Sequence, residues 1–279
     1  MEKKPLGRTG ENVAVIGLGT WGIGGFSTAD HSQDSMAVEA IRYAVELGMT
    51  HIDTAEIYGD GHSEELVEKA LKDYPRDELF IATKVWHTNL HYQDVLRACT
   101  GSLKRLGMDY IDLYMIHWPN PRVPIGETMQ AMEKLVREGL IRYIGVSNFD
   151  VELLEEAMKA LKREEIAANQ VKYSLEAREV ERELIPFCER NGITITAYTP
   201  LGKGRIPAET ASNRGRILHE TAKAYGKTPT QVALNWVIWR PNVITIPKAV
   251  KREHLEENAG AAGWRLSEED YNRISKAWS

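Results

Sequence analysis

Four side chains able to hold or move a proton stand at the ends of short apolar runs. They are Asp53 in His51-Ile52-Asp53-Thr54-Ala55, Tyr58 just after it, Lys84 in Phe80-Ile81-Ala82-Thr83-Lys84-Val85, and His117 in Leu113-Tyr114-Met115-Ile116-His117-Trp118. An ammonium inside an otherwise apolar strand suffers desolvation unless a carboxylate lies within a few ångströms, and Asp53 is the obvious partner for Lys84. The chemistry these types suggest is proton transfer from Tyr58 to a carbonyl oxygen, with Lys84 stabilising the developing phenolate. Asp53 would keep Lys84 charged and in place, and His117 would donate a hydrogen bond to the substrate oxygen. Singly, each has a bland reading, such as a lone buried histidine or an aspartate capping the next helix, and a single interior lysine is the least readily dismissed. Their joint occurrence at the ends of three successive strands favours a site.

The elements that must position them alternate along the chain. Candidate strands are Val13–Leu18, His51–Ala55, Leu79–Val85, Ile111–His117, Tyr143–Ser147, Ala168–Tyr173, Ile193–Tyr198 and Val243–Pro247. Between them lie helical patterns such as Val38/Ile41/Val45, Leu66/Ala70/Leu71, Leu96/Cys99/Leu103/Leu106 and Leu154/Met158/Leu161. Gly48, Gly107, Gly139 and Gly192 each follow a helical pattern and precede a strand, as helix stops do. Units of about 35 residues suit an α/β fold of the (β/α)8 TIM-barrel type, where the C-terminal strand ends surround one mouth. An open doubly wound sheet uses the same alternation and stays the alternative. No linker divides the chain, so residues 1–279 read as one domain. Pro5–Gly10 reads as the turn of an N-terminal β-hairpin capping the barrel floor. Arg252–Asn258 and Ser267–Trp278 read as helices after the last strand, the second being an extra C-terminal helix opened by Ser267.

Several functions are poorly served. Gly17-Leu18-Gly19-Thr20-Trp21-Gly22 matches G-x-G-x-x-G, but the periodic helix starts only near Ser32-Gln33, too late for a Rossmann phosphate loop. The glycines instead shape a loop at the mouth. There is no Gly-x-Ser-x-Gly elbow and no His-Glu-x-x-His motif, so serine acyl transfer and zinc hydrolysis fit badly. A net charge of -5 without a basic block argues against a nucleic-acid partner. No apolar run reaches the roughly 20 residues of a membrane span. Two widely separated cysteines, Cys99 and Cys188, suit buried free thiols in a reducing cytoplasm. A lyase or isomerase using Lys84 as a Schiff-base nucleophile is disfavoured, because an adjacent Asp53 raises the lysine pKa rather than freeing the amine.

Taken together, Asp53, Tyr58, Lys84 and His117 resemble the tetrad of the aldo-keto reductases, and the likeness extends beyond them. Gly17–Trp21, Ile52–Gly59, Gly145–Phe149, Asn169–Val171, Ala197–Gly202, Ile246–Lys248 and Glu256–Asn258 resemble family blocks in order. The closest likeness is to the prokaryotic and archaeal branch with its alcohol-dehydrogenase-like members. The resemblance implies NAD(P)H-dependent reduction of aldehydes and ketones, reversible as alcohol oxidation, without a metal; a monomer is expected, with an oligomer as the alternative. It also implies cofactor contacts from Gly19, Thr20, Trp21 and Asp53, with Ser147, Asn148 and Gln170 at the carboxamide, Tyr198 stacked on the nicotinamide, and Thr199 and Leu201 beside it. Without the resemblance, Ser147 and Asn148 read as turn and cap residues before Asp150. Lys248, Ala249, Arg252, His254, Glu257 and Asn258 fall where the family binds the cofactor's tail. His254 stands where NADP(H)-selective members usually carry Arg, and Ala249 where they often carry Ser. Arg binds phosphate with a fixed fork and permanent charge, whereas His is only partly charged near neutral pH. NADP(H) is favoured through Lys248 and Arg252, with NAD(H) or dual use as the rival. Trp21, Tyr58, Trp86, His117 and Trp118 suit a pocket for small apolar carbonyl or alcohol substrates. The chain stops at Ser279, just after its last helix, where some members continue in a long tail, which implies an open, permissive site. A regulatory subunit whose bound nucleotide senses redox state is the alternative from another class.

Overall fold

Strands covered by helices on one side and by each other on the other bury both faces, and the apolar runs of this chain do so. In the computed structural model, which describes residues 1–279, every residue of Phe80–Val85 and Ile111–Ile116 is buried. The hairpin expected around Pro5–Gly10 is present as β1 (Lys3–Pro5) and β2 (Asn12–Ala14), paired antiparallel. Eight further strands form one curled sheet: β3 (Leu18–Gly19), β4 (His51–Asp53), β5 (Phe80–Val85), β6 (Ile111–Ile116), β7 (Ile141–Ser147), β8 (Ile166–Lys172), β9 (Thr194–Tyr198) and β10 (Val243–Thr245). They are parallel and neighbour one another in chain order. An open doubly wound sheet reverses its strand order midway; this one does not. Gly17 N donates to Thr245 O at 2.8 Å and Thr245 N to Val15 O at 2.9 Å, so the two edge strands also meet.

The helices are α1 (Asp34–Glu46), α2 (His62–Leu71), α3 (Tyr92–Leu106), α4 (Ile125–Arg137), α5 (Val151–Ala160), α6 (Leu184–Asn191), α7 (Arg205–Ala208), α8 (Asn213–Tyr225), α9 (Pro229–Val237), α10 (Arg252–Ala259) and α11 (Glu268–Ala277). Gly48, Gly107, Gly139 and Gly192 all take positive φ at the ends of helical segments, which is why glycine serves there. Ser267 caps α11 through the Asp270 N–H. Seventy-two buried apolar residues form one connected cluster.

Two expectations shift. The run Val13–Leu18 is not one strand: Asn12–Ala14 belongs to the hairpin and Leu18–Gly19 to the main sheet. Gly17, at the crossing between them, lies so close to β4 that a Cβ would sit 2.6 Å from the His51 carbonyl oxygen. In α1 the buried face is Ala37, Ala40, Ile41 and Ala44, with Val38 and Val45 only half-buried, because small residues let the helix lie close to its neighbours. Below the sheet, Lys4 Nζ donates to the carbonyls of Ile238, Arg240 and Val243, and burial lowers its pKa to about 8.

Candidate active site

The C-terminal strand ends open into a cavity of about 1150 Å³. Asp53 ends β4 opposite Ala82, and Lys84 stands two residues further along β5 on the same face, within reach of it. Lys84 Nζ donates to Asp53 Oδ1 at 2.6 Å and to Thr54 O at 2.8 Å, and lies 3.4 Å from Tyr58 Oη. Gln170 Nε2, from β8, donates to the other oxygen, Asp53 Oδ2, at 2.7 Å. Lys84 is wholly buried behind Tyr58 and Asp53, which themselves line the cavity. Burial is the largest influence on the Lys84 ammonium and disfavours it, but Asp53, followed by Tyr58, more than offsets this by charge and hydrogen bonding and holds its pKa above the ordinary lysine value. Burial raises the Tyr58 pKa while the Lys84 charge pulls the other way; the net is a phenol that keeps its proton at neutral pH.

His117 follows β6 and meets Tyr58 edge-on at 5.5 Å and Trp86 at 5.1 Å between ring centroids. Burial, then the Lys84 charge, lowers its pKa to about 2, so the imidazole is neutral. Its buried Nδ1 has no partner; assigning the single N–H to Nε2 avoids burying an unpaired donor. The tetrad thus holds one buried ammonium, one protonated phenol and one neutral imidazole, a set that can donate a proton without a metal or a nucleophile.

Along one wall, Ser147 Oγ donates to Gln170 O at 2.8 Å, Asn148 Nδ2 to His117 O at 3.1 Å, and Tyr198 Oη to Asn148 Oδ1 at 3.0 Å. The cap of α5 is Asp150, whose side chain accepts from Leu153 N, so Ser147 and Asn148 are not spent on capping. Asn148 (φ 64) and Thr199 (φ 54) occupy the left-handed region, conformations of non-glycine residues that concentrate at functional sites. At the far end, Lys248 is exposed and His254, Glu257 and Asn258 line the cavity, the last three from α10. Gly19 is pressed so close to the neighbouring segment after β10 that a Cβ would meet Ile246 O at 2.6 Å.

Trp21, Tyr58, Trp86, His117, Trp118, Leu201 and Thr199 also line the cavity. Thr20, Ala249 and Arg252 do not. Thr20 accepts from Ser63 Oγ at 2.8 Å inside a buried hydroxyl chain, Ala249 is buried, and the Arg252 guanidinium lies 3.7 Å over the Tyr43 ring. Lining residues not singled out from sequence include Phe26, Lys172 and Lys203. Lys172 was findable, two residues beyond Gln170 on the same face of β8; Phe26 and Lys203 sit in loops where periodicity carries no signal.

The model of the Aldo/keto reductase family matches residues 15–279. The chain is 37% identical over 280 residues to methylglyoxal reductase YeaE of Escherichia coli, covering all of this chain and 96% of that relative. It superposes with a TM-score of 0.95 on a thermostable aldo-keto reductase, Tm1743, solved with the inhibitor epalrestat, at 51% identity over 99% of this chain and 100% of that one. An aldo-keto reductase from Klebsiella pneumoniae solved with NADPH matches at TM-score 0.90 and 37% identity, over 100% of this chain and 96% of that one. The chain therefore belongs to the aldo/keto reductase family and is an NAD(P)H-dependent oxidoreductase.

Proposed function

We propose that this protein reduces small aldehydes and ketones, 2-oxoaldehydes such as methylglyoxal among them, with NADP(H), and oxidises the corresponding alcohols in reverse. The observation that carries the reading is Lys84 Nζ held 2.6 Å from Asp53 and 3.4 Å from the Tyr58 hydroxyl at the cavity wall. NADP(H), when bound, supplies the hydride. Tyr58 gives its proton to the substrate oxygen, and the Lys84 ammonium steadies the phenolate left behind. Asp53 keeps Lys84 charged, Gln170 keeps Asp53 aimed, and His117 Nε2–H orients the substrate oxygen.

The cavity exceeds the roughly 300–1,000 Å³ of an ordinary small-ligand site, which suits a dinucleotide with a small substrate. Ser147, Asn148 and Gln170 would hold the carboxamide, Tyr198 would support the ring, and Lys248, His254, Glu257 and Asn258 would take the tail. Two features favour NADP(H): the Klebsiella relative's complex with NADPH, and the exposed Lys248 before α10, whose N-terminus suits a ribose phosphate. The aromatic lining suits apolar carbonyl substrates, and the neutral Lys84-adjacent pair of Tyr58 and His117 gives them one polar anchor.

Further parts of the reading are a single (β/α)8 domain spanning 1–279, supported by the edge-strand hydrogen bonds and the one connected core, and action as a cytoplasmic monomer. Three of the five exposed large apolar side chains, Trp21, Phe26 and Trp118, surround the cavity mouth, which leaves little apolar surface for self-association. No helix is long and apolar enough to cross a membrane. A purely regulatory role finds no support, since the tetrad is intact and the relatives carry reductase names. The test is turnover of NADPH and NADH, followed by nicotinamide absorbance, against a panel of aldehydes, ketones and 2-oxoaldehydes. Reduction across the panel with NADPH preferred is expected. Tight nucleotide binding with no turnover on any carbonyl would overturn the reading.

A further inference from the structure

One cluster of titratable side chains outside the cavity has no part in the chemistry above. His31 lies in the loop between β3 and α1, Asp34 opens α1, and His62 opens α2. His62 is buried, with Nε2 2.7 Å from Asp34 Oδ1 and Nδ1 2.9 Å from Glu65 Oε2. His31 Nδ1 stands 3.4 Å from Asp34 Oδ2, and the two imidazole rings are 4.0 Å apart between centroids. One donor atom from each of the three residues lies within 4.8 Å of the others. Ion pairs with Asp34 describe His62 and His31 alike, one on each carboxylate oxygen. They leave unexplained why two imidazoles, which repel when both are charged, lie 4.0 Å apart on a single carboxylate.

We propose that His31, Asp34 and His62 form a site for one divalent transition-metal ion, with Zn2+ as the type, which ties the loop at the cavity mouth to α1 and α2. Two imidazoles and a carboxylate suit a borderline ion rather than Mg2+ or Ca2+, which take oxygen donors. A tetrahedral ion with bonds of about 2.0–2.1 Å spaces its ligands about 3.3 Å apart. The His31–Asp34 pair already has that spacing at 3.4 Å, and the His62–Asp34 pair, now sharing a proton at 2.7 Å, opens slightly as the ion replaces it. Glu65 supplies the outer carboxylate that accepts from His62 Nδ1–H, fixing the tautomer that leaves the Nε2 lone pair for the metal. Lys69 Nζ, 3.7 Å from Asp34 Oδ2, competes for that carboxylate; its side chain is half exposed and can swing into water.

The ligands bracket a segment that matters to the cavity. The loop between β3 and α1 carries Trp21 and Phe26. It is fastened by Gly59 N to Phe26 O at 2.7 Å and Asp30 N to Gly24 O at 2.9 Å, and Gly24 packs directly on the His62 ring. An ion bound across it would restrain loop motion and so slow exchange through the mouth.

The experiment is calorimetric titration of Zn2+ into untagged, chelator-treated protein, with Co2+ visible absorption as a second probe. One equivalent is expected, with tetrahedral Co2+ bands and no competition from Mg2+. His31→Ala, a change at an exposed side chain that leaves the fold intact, should weaken Zn2+ binding by at least about tenfold, and Glu65→Gln by roughly tenfold. Absence of Zn2+ binding in the wild-type protein, or an unchanged affinity in both His31→Ala and Asp34→Asn, would overturn the proposal.

Discussion

Two buried carboxylates sit at opposite ends of the same sheet, each held by cations, and they differ in what their partners can still do. Asp112, near the start of β6, accepts from Arg76 Nη2 at 2.6 Å, Ile81 N at 2.8 Å and Arg142 Nη1 at 2.8 Å, and Arg142 continues to Glu11. Asp53, at the end of β4, accepts from Lys84 and Gln170 alone. The Asp112 cluster is saturated by guanidiniums that do not titrate, so nothing there can move. The Lys84 ammonium instead spends part of its donor capacity on Tyr58, a group able to give up a proton. Burial alone does not separate a site from a brace; the residual freedom of the partner does. Parallel (β/α) folds place function at C-terminal strand ends and stability at the other face; Asp53 lies at the first and Asp112 at the second.

The comparison can be broken most directly at Lys84. Lys84→Met leaves Asp53 buried without its cation, and unfolding should become easier by about 3–5 kcal/mol while turnover falls by roughly a thousandfold. Denaturant unfolding and steady-state rates read the two losses, and survival of either quantity would refute the assignment. Tyr58→Phe should lower kcat by roughly 10²–10⁴ with nucleotide affinity and stability little changed, as checked by fluorescence titration and thermal melting. Asp112→Ala is the converse: about 3 kcal/mol of stability is lost because two guanidiniums lose their anion, while kcat of the folded protein is unaffected. A drop in kcat there would erase the distinction between the two ends.

A smaller effect concerns acid. The fully buried His51 has its pKa lowered from 6.5 to about 4, chiefly by burial, and His117 from 6.5 to about 2. The unfolded chain binds these protons first, so stability is present above pH 6.5 and is lost as pH falls below it, toward 4 for His51 and further for His117. Each should cost about 1.4 kcal/mol per pH unit within its window. His51→Leu should remove one proton's worth of slope from the acid limb of a stability–pH curve; an unchanged slope would show that His51 is not held neutral. Smallest is Glu11→Gln at the exposed end of the Asp112 cluster, expected within about 1 kcal/mol and weaker still in high salt.

Much of this was legible in the chain. Strand and helix order followed from apolar runs and glycine stops, because burial on both faces leaves an unmistakable pattern. The tetrad was legible because a lysine inside an apolar strand demands a partner, and parallel register leaves few candidates. Less legible were the inner turns: Thr20 lies within a family-like block, yet its hydroxyl faces Ser63 instead of the cavity. Arg252 lies close in sequence to the cavity-lining Lys248 and His254, but its guanidinium lies over Tyr43 on α1. Both outcomes depend on neighbours remote in sequence.

The sequence by itself determined the alternation of elements, the residue types at the strand ends and hence the kind of proton chemistry available, since these rest on local periodicity and on the cost of burying charge. Only the tertiary structure decided what surrounds the polar groups that no strand-end argument had paired. It placed Asp112, another aspartate in an apolar strand, between Arg76 and Arg142. It also brought His31 and Asp34 to His62, a convergence invisible in any short motif because the ligands come from two helices and a loop whose approach is set by packing.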